Sequence, residues 1–368
     1  MPPALCRQAC VAPCQPGRPA APVTAPYPIR FSQSVFPSPF FDVSIGLSIG
    51  LFFVGLGLVI AAAEALVEST LGTAARLGRS AFLISTVFIG FDPENLAVGI
   101  AGTVEASAGI ALGTILGSAM VAVALAFGVT AVLAPLRFEA VPQAVLVVPV
   151  GAAALFGGLC LDGCLSRLDG ALLLGGYVAA VGVLLWQEHL GRAVAPTEAV
   201  AAAAEEDAET RGGRAIVRFV LCLAGIVVGS ELVVRSSTAL LPVLGLSDTT
   251  FGMTILALLV SLEEVARELP AAWTGRPDIT IGNVIGSVLA FFLFNAGIIA
   301  LVRPVPVSDT ILNAYLPLGL GTVVFISAVL WRGRVPRWAG GVLVLLYLLF
   351  VAAGTGGLAS VSDGLVPG

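Results

Sequence analysis

The sequence predicts an all-α membrane protein with about ten transmembrane helices, arranged as two inverted five-helix repeats. Three observations predict this fold class. The 368 residues are 58% hydrophobic and only 11% charged, against roughly 25% charged in an ordinary soluble domain. The apolar runs each approach the roughly 20 residues that a helix needs to cross a bilayer. A single long polar segment divides the chain, and the two parts repeat one polar pattern.

The chain begins with a Pro-rich leader, residues 1–42, which we predict to be poorly ordered. The leader carries Cys6, Cys10 and Cys14 without a nearby histidine, and the spacing of the six cysteines implies no disulfide framework. The first predicted repeat covers residues 43–187. Its five predicted spans are 44–66, 81–104, 108–133, 143–161 and 169–187.

The polar segment that follows, residues 188–214, is rich in Ala and Glu but has no apolar face, which is typical of a solvated linker. The second predicted repeat covers 215–358 and is followed by a tail, 359–368. An odd number of spans in each half forces the second half to enter the membrane from the opposite side, so the repeats must be inverted. The predicted spans of this half are 215–240, 247–273, 279–302, 309–331 and 337–355.

The arginines predict the orientation of the chain. The sequence contains no lysine, and by the predicted spans most connecting arginines fall on the side of the linker. Connections rich in basic residues stay on the cytoplasmic side. We therefore predict a multi-pass protein of the cell membrane with a cytoplasmic linker and both termini outside.

Two segments of identical layout carry the polar residues of the two halves. Residues 92–118 and 261–287 align without a gap, so one constant difference in residue number, the repeat offset, relates every matched pair. The alignment pairs Asn95 with Glu264, and both segments end in G-x-x-x-G-S, at Ser118 and Ser287. A duplicated polar segment in an apolar chain is typical of transporters, in which each half contributes one wall of a midplane site.

In the first segment, Pro93 is predicted to break or kink its helix near Asp92, which frees backbone carbonyls. Asp92, Glu94 and Asn95 add side-chain oxygens at a depth where a carboxylate is costly unless something positive pairs with it. Asp92 could equally act as the N-cap of the resumed helix.

The second segment has no proline at the matching point, and we predict that Ser261, Glu263 and Glu264 lie midway along its helix. The glycines four residues apart allow two helix backbones to approach closely, which would bring Ser118 and Ser287 beside the acidic turns. A ligand set of oxygens alone, without His or Cys, favours Na⁺ and Ca²⁺ over transition metals.

These segments resemble the two α-repeats of the sodium/calcium exchanger membrane region, in the calcium/cation antiporter superfamily. The second repeat offers SLEEV with GNVIGS, and the first offers GFDPENL with GTILGS. The resemblance implies that the first and sixth spans slide as gates and that no resident cofactor is needed. It also implies that Glu264, Ser261, Ser118 and Ser287 are cation ligands. Asn95, Glu94 and Asp92, proposed above for their side-chain oxygens, complete the set of candidate ligands.

The sequence departs from the family pattern at several of these positions. Asn95 occupies the place of the family's glutamate, while Glu94 stands where the family has proline. Ala122 and Phe291 replace the Asn or Asp expected a turn beyond the two serines. Arg267 lies one turn from Glu264, close enough to neutralise its charge.

Three interpretations of function follow. The first is a secondary active antiporter that exchanges Na⁺ for Ca²⁺ by alternating access. The second is a proton/cation exchanger of the same fold, in which Glu264 or Glu94 carries H⁺, and the third is a degenerate protein that senses cations without transporting them. No nucleophile–base pair, phosphate loop or zinc spacing is present, so we predict neither an enzyme nor a nucleic-acid partner. The expected partners are Na⁺, Ca²⁺ or H⁺ and the lipid bilayer.

Overall fold

The computed structural model of the protein describes residues 45–75, 93–137, 143–189, 212–244, 246–261 and 277–354, together with 264, 268–269 and 272–273. The helices of its first half are α1 (Ile45–Ala75), α2 (Pro93–Val104), α3 (Ala108–Leu133), α4 (Gln143–Cys160) and α5 (Arg167–His189). Those of the second half are α6 (Gly212–Leu244), α7 (Asp248–Val260), α8 (Pro277–Leu289, Ala290–Asn295 and Ala296–Val302 in one run), α9 (Ile311–Leu330) and α10 (Arg337–Gly354).

These helices confirm an all-α membrane protein. Seven of the described helices are long and apolar enough to cross a bilayer, and the apolar stretches of α4 and α7 are shorter. Each of the ten predicted spans overlaps one of the ten helices given above for the described residues, in the same order. The leader, most of the linker and the tail lie outside the described residues, so the division of the chain into these parts stays a prediction.

Helices α3 and α8 form the centre of the bundle. Most of their side chains are apolar, and 83% of the apolar stretch of each is buried inside the protein, against 28% for α1 and 22% for α5. A helix that is hydrophobic on every face belongs in the interior. Because the two G-x-x-x-G-S motifs lie on α3 and α8, the predicted site is at the centre of the molecule.

Helices α1 and α6, the first and sixth spans, pack against each other as a pair at the edge of the bundle. A Cβ atom added to Gly55 would lie 2.9 Å from the carbonyl oxygen of Gly229, and one added to Gly229 would lie 2.8 Å from that of Gly55. Small residues let transmembrane helices approach this closely. The pair is the one that the family resemblance assigns to the sliding gates, a role that stays a prediction.

The inner helices contain π-helical turns at matching positions. The repeat offset that relates the two aligned segments also carries the turn at Val121–Ala126 in α3 onto the turn at Ala290–Asn295 in α8. Single π-turns within α-helices are frequent at functional sites. Both inner helices are therefore widened directly beyond Ser118 and Ser287.

Two short antiparallel ladders join the halves at opposite ends of the bundle. Strand β1 (Leu136–Arg137) pairs with β4 (Arg334–Val335), and β2 (Cys164–Leu165) pairs with β3 (Val305–Pro306). The repeat offset carries β1 onto β3, and nearly the same offset carries β2 onto β4. Such an exchange of the two ladders is expected of two inverted copies. The sequence did not predict these strands, because strands this short carry no alternating pattern.

The described cysteines are of two kinds. Cys160 and Cys222 are buried free thiols. Cys164 is disulfide-bonded, so the prediction that no disulfide is implied is wrong for this residue. Disulfide pairing depends on the distance between Cα atoms, which sequence spacing does not show.

Candidate cation site

The first wall of the site is the beginning of α2. The helix begins at Pro93. Proline is well tolerated at this position, because an N–H group in the first turn has no hydrogen-bond acceptor within the helix. Glu94 and Asn95 follow in the first turn and are both buried, with 1% and 0% of their surface exposed. Asp92 and the residues directly before it lie outside the described residues, so the interruption near Asp92 stays a prediction.

The second wall is the end of α7. The helix ends at Val260, and Ser261 leaves the helical conformation with φ −102° and ψ 17°. The Glu264 amide then donates to the Ser261 carbonyl at 3.2 Å, which forms a tighter turn. The predicted span 247–273 is therefore not one continuous helix at Ser261. Ser261 is the position that aligns with Asp92, which lies outside the described residues.

One polar cluster joins the two halves where the beginning of α2 meets the end of α7. Asn95 Nδ2 donates to Ser261 Oγ at 3.3 Å, and Ser118 Oγ donates to Asn95 Oδ1 at 2.6 Å. All three side chains are buried. The structure thus brings together three of the predicted site residues, which come from α2, α3 and the end of α7.

A second polar cluster lies beside the first, within the second half. Asn283 Nδ2 donates to Glu264 Oε2 at 2.6 Å and to Glu268 Oε1 at 3.1 Å. All three side chains are buried, with at most 2% of their surface exposed. Of these three residues, only Glu264 is a candidate predicted from the sequence. Glu268 could have been recognised because it lies four residues after Glu264. Residues four apart share a helix face, and two like charges there are unfavourable unless they serve a purpose.

The remaining candidates are buried around these clusters. Ser287 is fully buried on α8, one turn beyond Asn283, and its hydroxyl has no hydrogen-bond partner among the described residues. Ala122 and Phe291 are also fully buried, in the two matching π-turns. They supply no side-chain oxygen, as their identity predicted. Arg267 lies outside the described residues.

Glycines set the distance between the two halves at the site. A Cβ atom added to Gly113 of α3 would lie 2.3 Å from the backbone carbon of Gly252 in α7, and one added to Gly117 would lie 2.7 Å from the Met253 carbonyl oxygen. Contacts this short leave no room for any side chain. The glycine strip therefore holds α3 against α7 and places Ser118 beside Ser261.

The ligands that this site offers are oxygens of carboxylates, amides and hydroxyls. Within the described ranges, no group of three or more His, Cys, Asp or Glu side chains could hold a metal ion by itself. A bound cation would therefore depend on amide and hydroxyl oxygens in addition to the carboxylates. That donor set suits hard cations such as Na⁺ and Ca²⁺ and does not suit transition metals.

These features define a multi-pass membrane protein with a buried, oxygen-lined site between its two halves. Residues 47–186 and 214–355 match the sequence profile of the family described as sodium/calcium exchanger protein. The chain belongs to this family, whose members are transporters and not enzymes.

Several curated proteins are similar over most of the chain. The inner membrane protein YrbG of Escherichia coli is 29% identical over 307 residues, which cover 82% of this chain and 93% of that protein. The putative antiporter CaxA of Alkalimonas amylolytica is 30% identical over 68% of this chain and 79% of its own length. The sodium/calcium exchanger MaX1 of Methanosarcina acetivorans is 27% identical over 82% of this chain and 96% of its own.

A solved structure has the same fold. The sodium/calcium exchanger from Methanococcus jannaschii aligns with a TM-score of 0.56 at 22% identity, over 84% of this chain and 99% of that one. The same exchanger soaked with Na⁺ and Sr²⁺ aligns with a TM-score of 0.59 at 21% identity. At this level of identity the likeness shows the fold alone.

Ser118→Ala is expected to weaken cation binding about 10- to 100-fold, the usual effect of losing a partner that orients a metal ligand. The substitution removes the hydroxyl that donates to Asn95 Oδ1. It should also lower the stability of the folded protein by about 1–3 kcal/mol, because a buried acceptor is left without its donor. The measurement is the concentration of Ca²⁺ or Na⁺ that gives half-maximal thermal stabilisation of the purified protein.

Ser327→Ala is the matched control for this prediction. Ser327 is a buried serine of α9 whose hydroxyl has no partner among the described residues. Its loss should leave the cation dependence unchanged. If the two variants behave alike, Ser118 only fills space.

Proposed function

We propose that the protein is a secondary antiporter of the cell membrane that exchanges Na⁺ for Ca²⁺ at the site between α2, α3, α7 and α8. The observation that carries the proposal is the cluster in which Asn95 and Ser118 of the first half meet Ser261 of the second, next to Glu264. Membership of the exchanger family and the activity in the name of MaX1 support the choice of ions.

The charge of the site explains why transport would be coupled. Glu264 is fully buried at the centre of the bundle, and a buried carboxylate in a membrane protein attracts a cation. In this proposal the site changes the face to which it is open only while a cation is bound. One kind of ion is then exchanged for the other.

The moving part in this proposal is the pair α1 and α6. This pair packs through Gly55 and Gly229 and lies against the edge of the bundle, while α3 and α8 remain buried at the centre. Sliding of the pair would open the site to one face and close it to the other. The arginine-rich side, which carries the linker, is the cytoplasmic face in this proposal.

Radiolabelled Ca²⁺ uptake into proteoliposomes tests the function. We expect uptake when the vesicles are loaded with Na⁺ and diluted into Na⁺-free medium, and no uptake when K⁺ replaces Na⁺ inside. A pH gradient applied without Na⁺ is the third condition. Uptake driven only by the pH gradient would indicate proton/cation exchange instead, and the absence of uptake under every gradient would indicate a protein that does not transport Ca²⁺.

A further inference from the structure

The acidic charge of the second cluster has no counterpart in the first half. Glu264 and Glu268 lie one turn apart after the end of α7, and the positions that match them in the first half are Asn95 and Gly99. Both carboxylates are buried. The second half therefore contributes two acids at positions where the first half contributes none.

Packing maintains this difference between the halves. The contact between Glu268 and Asn283 matches a contact between Gly99 and Thr114, since the repeat offset carries one pair onto the other. A Cβ atom added to Gly99 would lie 2.5 Å from Thr114 Oγ1 and 2.4 Å from Ile299 Cδ1. A side chain at Gly99 would force Ile299 and Thr114 to shift, whereas the second half already accommodates a carboxylate together with an amide.

Two oxygen atoms of the second cluster have no hydrogen-bond partner among the described residues. Glu268 Oε2 and Asn283 Oδ1 are buried and accept no hydrogen bond from any described residue. A buried acceptor in this condition costs about 1–3 kcal/mol, and more if it is charged. These two atoms belong to side chains that contact each other through Asn283 Nδ2, so both atoms are part of the second cluster.

The amide of Asn283 lies between the two carboxylates. Its Nδ2 atom donates to one oxygen of each carboxylate, so its two N–H groups separate two acids that would otherwise repel each other. A divalent cation at this place would attract both carboxylates, and Asn283 could then turn its amide over and offer Oδ1 to the ion.

We propose that Glu268 and Asn283 form, together with Glu264, a subsite for one divalent hard cation, with Ca²⁺ as the ion that fits its oxygen donors. The subsite draws both carboxylates from the second half. Glu268 thereby supplies the negative charge that Asn95 lacks. This inference rests on the proposed function, because it assigns the divalent ion of the exchange to particular residues.

Thermal unfolding of the full-length protein in detergent, with CaCl₂ as the titrant, tests the subsite in Glu268→Gln. Glutamine keeps the shape of the side chain and its acceptor for Asn283 but removes one of the two facing charges. We expect the metal-free variant to unfold at the wild-type temperature or above it. We also expect it to need about 10- to 100-fold more Ca²⁺ for the same stabilisation. A merely structural role would lower the metal-free stability without changing the Ca²⁺ dependence.

Asp309→Asn is the control, because Asp309 is exposed at the beginning of α9 and its loss should change neither quantity. Should Glu268→Gln fail to fold, Glu268→Asp takes its place, since it keeps the charge but withdraws it by one methylene group. A wild-type Ca²⁺ dependence in the folded variant overturns the subsite. If the wild-type protein nevertheless exchanges Na⁺ for Ca²⁺, only the subsite is wrong and the proposed function stands. If the wild-type protein neither transports Ca²⁺ nor is stabilised by it, the subsite and the proposed function are both wrong.

Discussion

Glu264→Gln is expected to reduce Na⁺-driven Ca²⁺ uptake by about 100-fold or more while the protein still folds. Glutamine retains an oxygen that can accept from Asn283 Nδ2, as Glu264 Oε2 does at 2.6 Å, so the packing of the cluster survives. The substitution removes the charge that attracts the cation. Loss of an outer-shell partner already costs about 10- to 100-fold in metal affinity, and a direct ligand should cost at least as much.

The initial rate of Ca²⁺ uptake into proteoliposomes, at a concentration well below saturation, measures this effect. Asp162→Asn is the matched control, because Asp162 lies in the exposed loop after α4 and accepts from the Cys164 amide, which asparagine can also do. Uptake by Glu264→Gln at the rate of the control would show that Glu264 is not a ligand, and the site proposed between the two halves would then be wrong.

The fold was predictable because its signals extend over long stretches of sequence. Each apolar run is close to the length that a bilayer requires, and one constant repeat offset holds over a whole polar segment. The same offset recurs in the structure, in the π-turns and in the strand ladders. A pattern that spans many residues still predicts the fold when single residues depart from it, as Asn95 does from the family's glutamate.

The interruption of α7 was not predictable in the same way. A proline marks the beginning of α2, but Ser261 marks the end of α7, and serine is common inside membrane helices. The hydrogen bond that Ser261 accepts from Asn95 joins residues 166 positions apart. Only the packing of the two halves makes this contact, so the sequence around Ser261 carries no sign of it.

Glu268 and Asn283 could not be predicted from the likeness of the two halves. Their matches in the first half are Gly99 and Thr114, neither of which resembles a carboxylate or an amide, so the alignment gave them no weight. The structure shows that the two pairs occupy equivalent contacts. Duplication therefore identifies the residues that the halves share, and it overlooks those by which the two halves differ.

Gly113→Ala is expected to lower the stability of the folded protein by at least about 1–3 kcal/mol, the usual effect of adding a methylene group to a packed interior. The added Cβ atom would lie 2.3 Å from the Gly252 backbone carbon and 2.4 Å from its oxygen. A backbone cannot rotate away as a flexible side chain can, so α3 and α7 must separate. Ser118 would then move away from Ser261, and the folded fraction should also bind cations more weakly.

Gly151→Ala gives this prediction a control of opposite sign. Gly151 lies on an exposed face of α4, and nothing stands within 4 Å of a Cβ atom added there. Alanine in an open helical position is more favourable than glycine by about 1 kcal/mol, so this variant should unfold at the wild-type temperature or above it. Thermal unfolding in detergent compares the two. Because both substitutions change the helix propensity equally, the difference between them isolates the contact of α3 with α7, and equal unfolding temperatures would mean that the glycine strip does not hold the halves together.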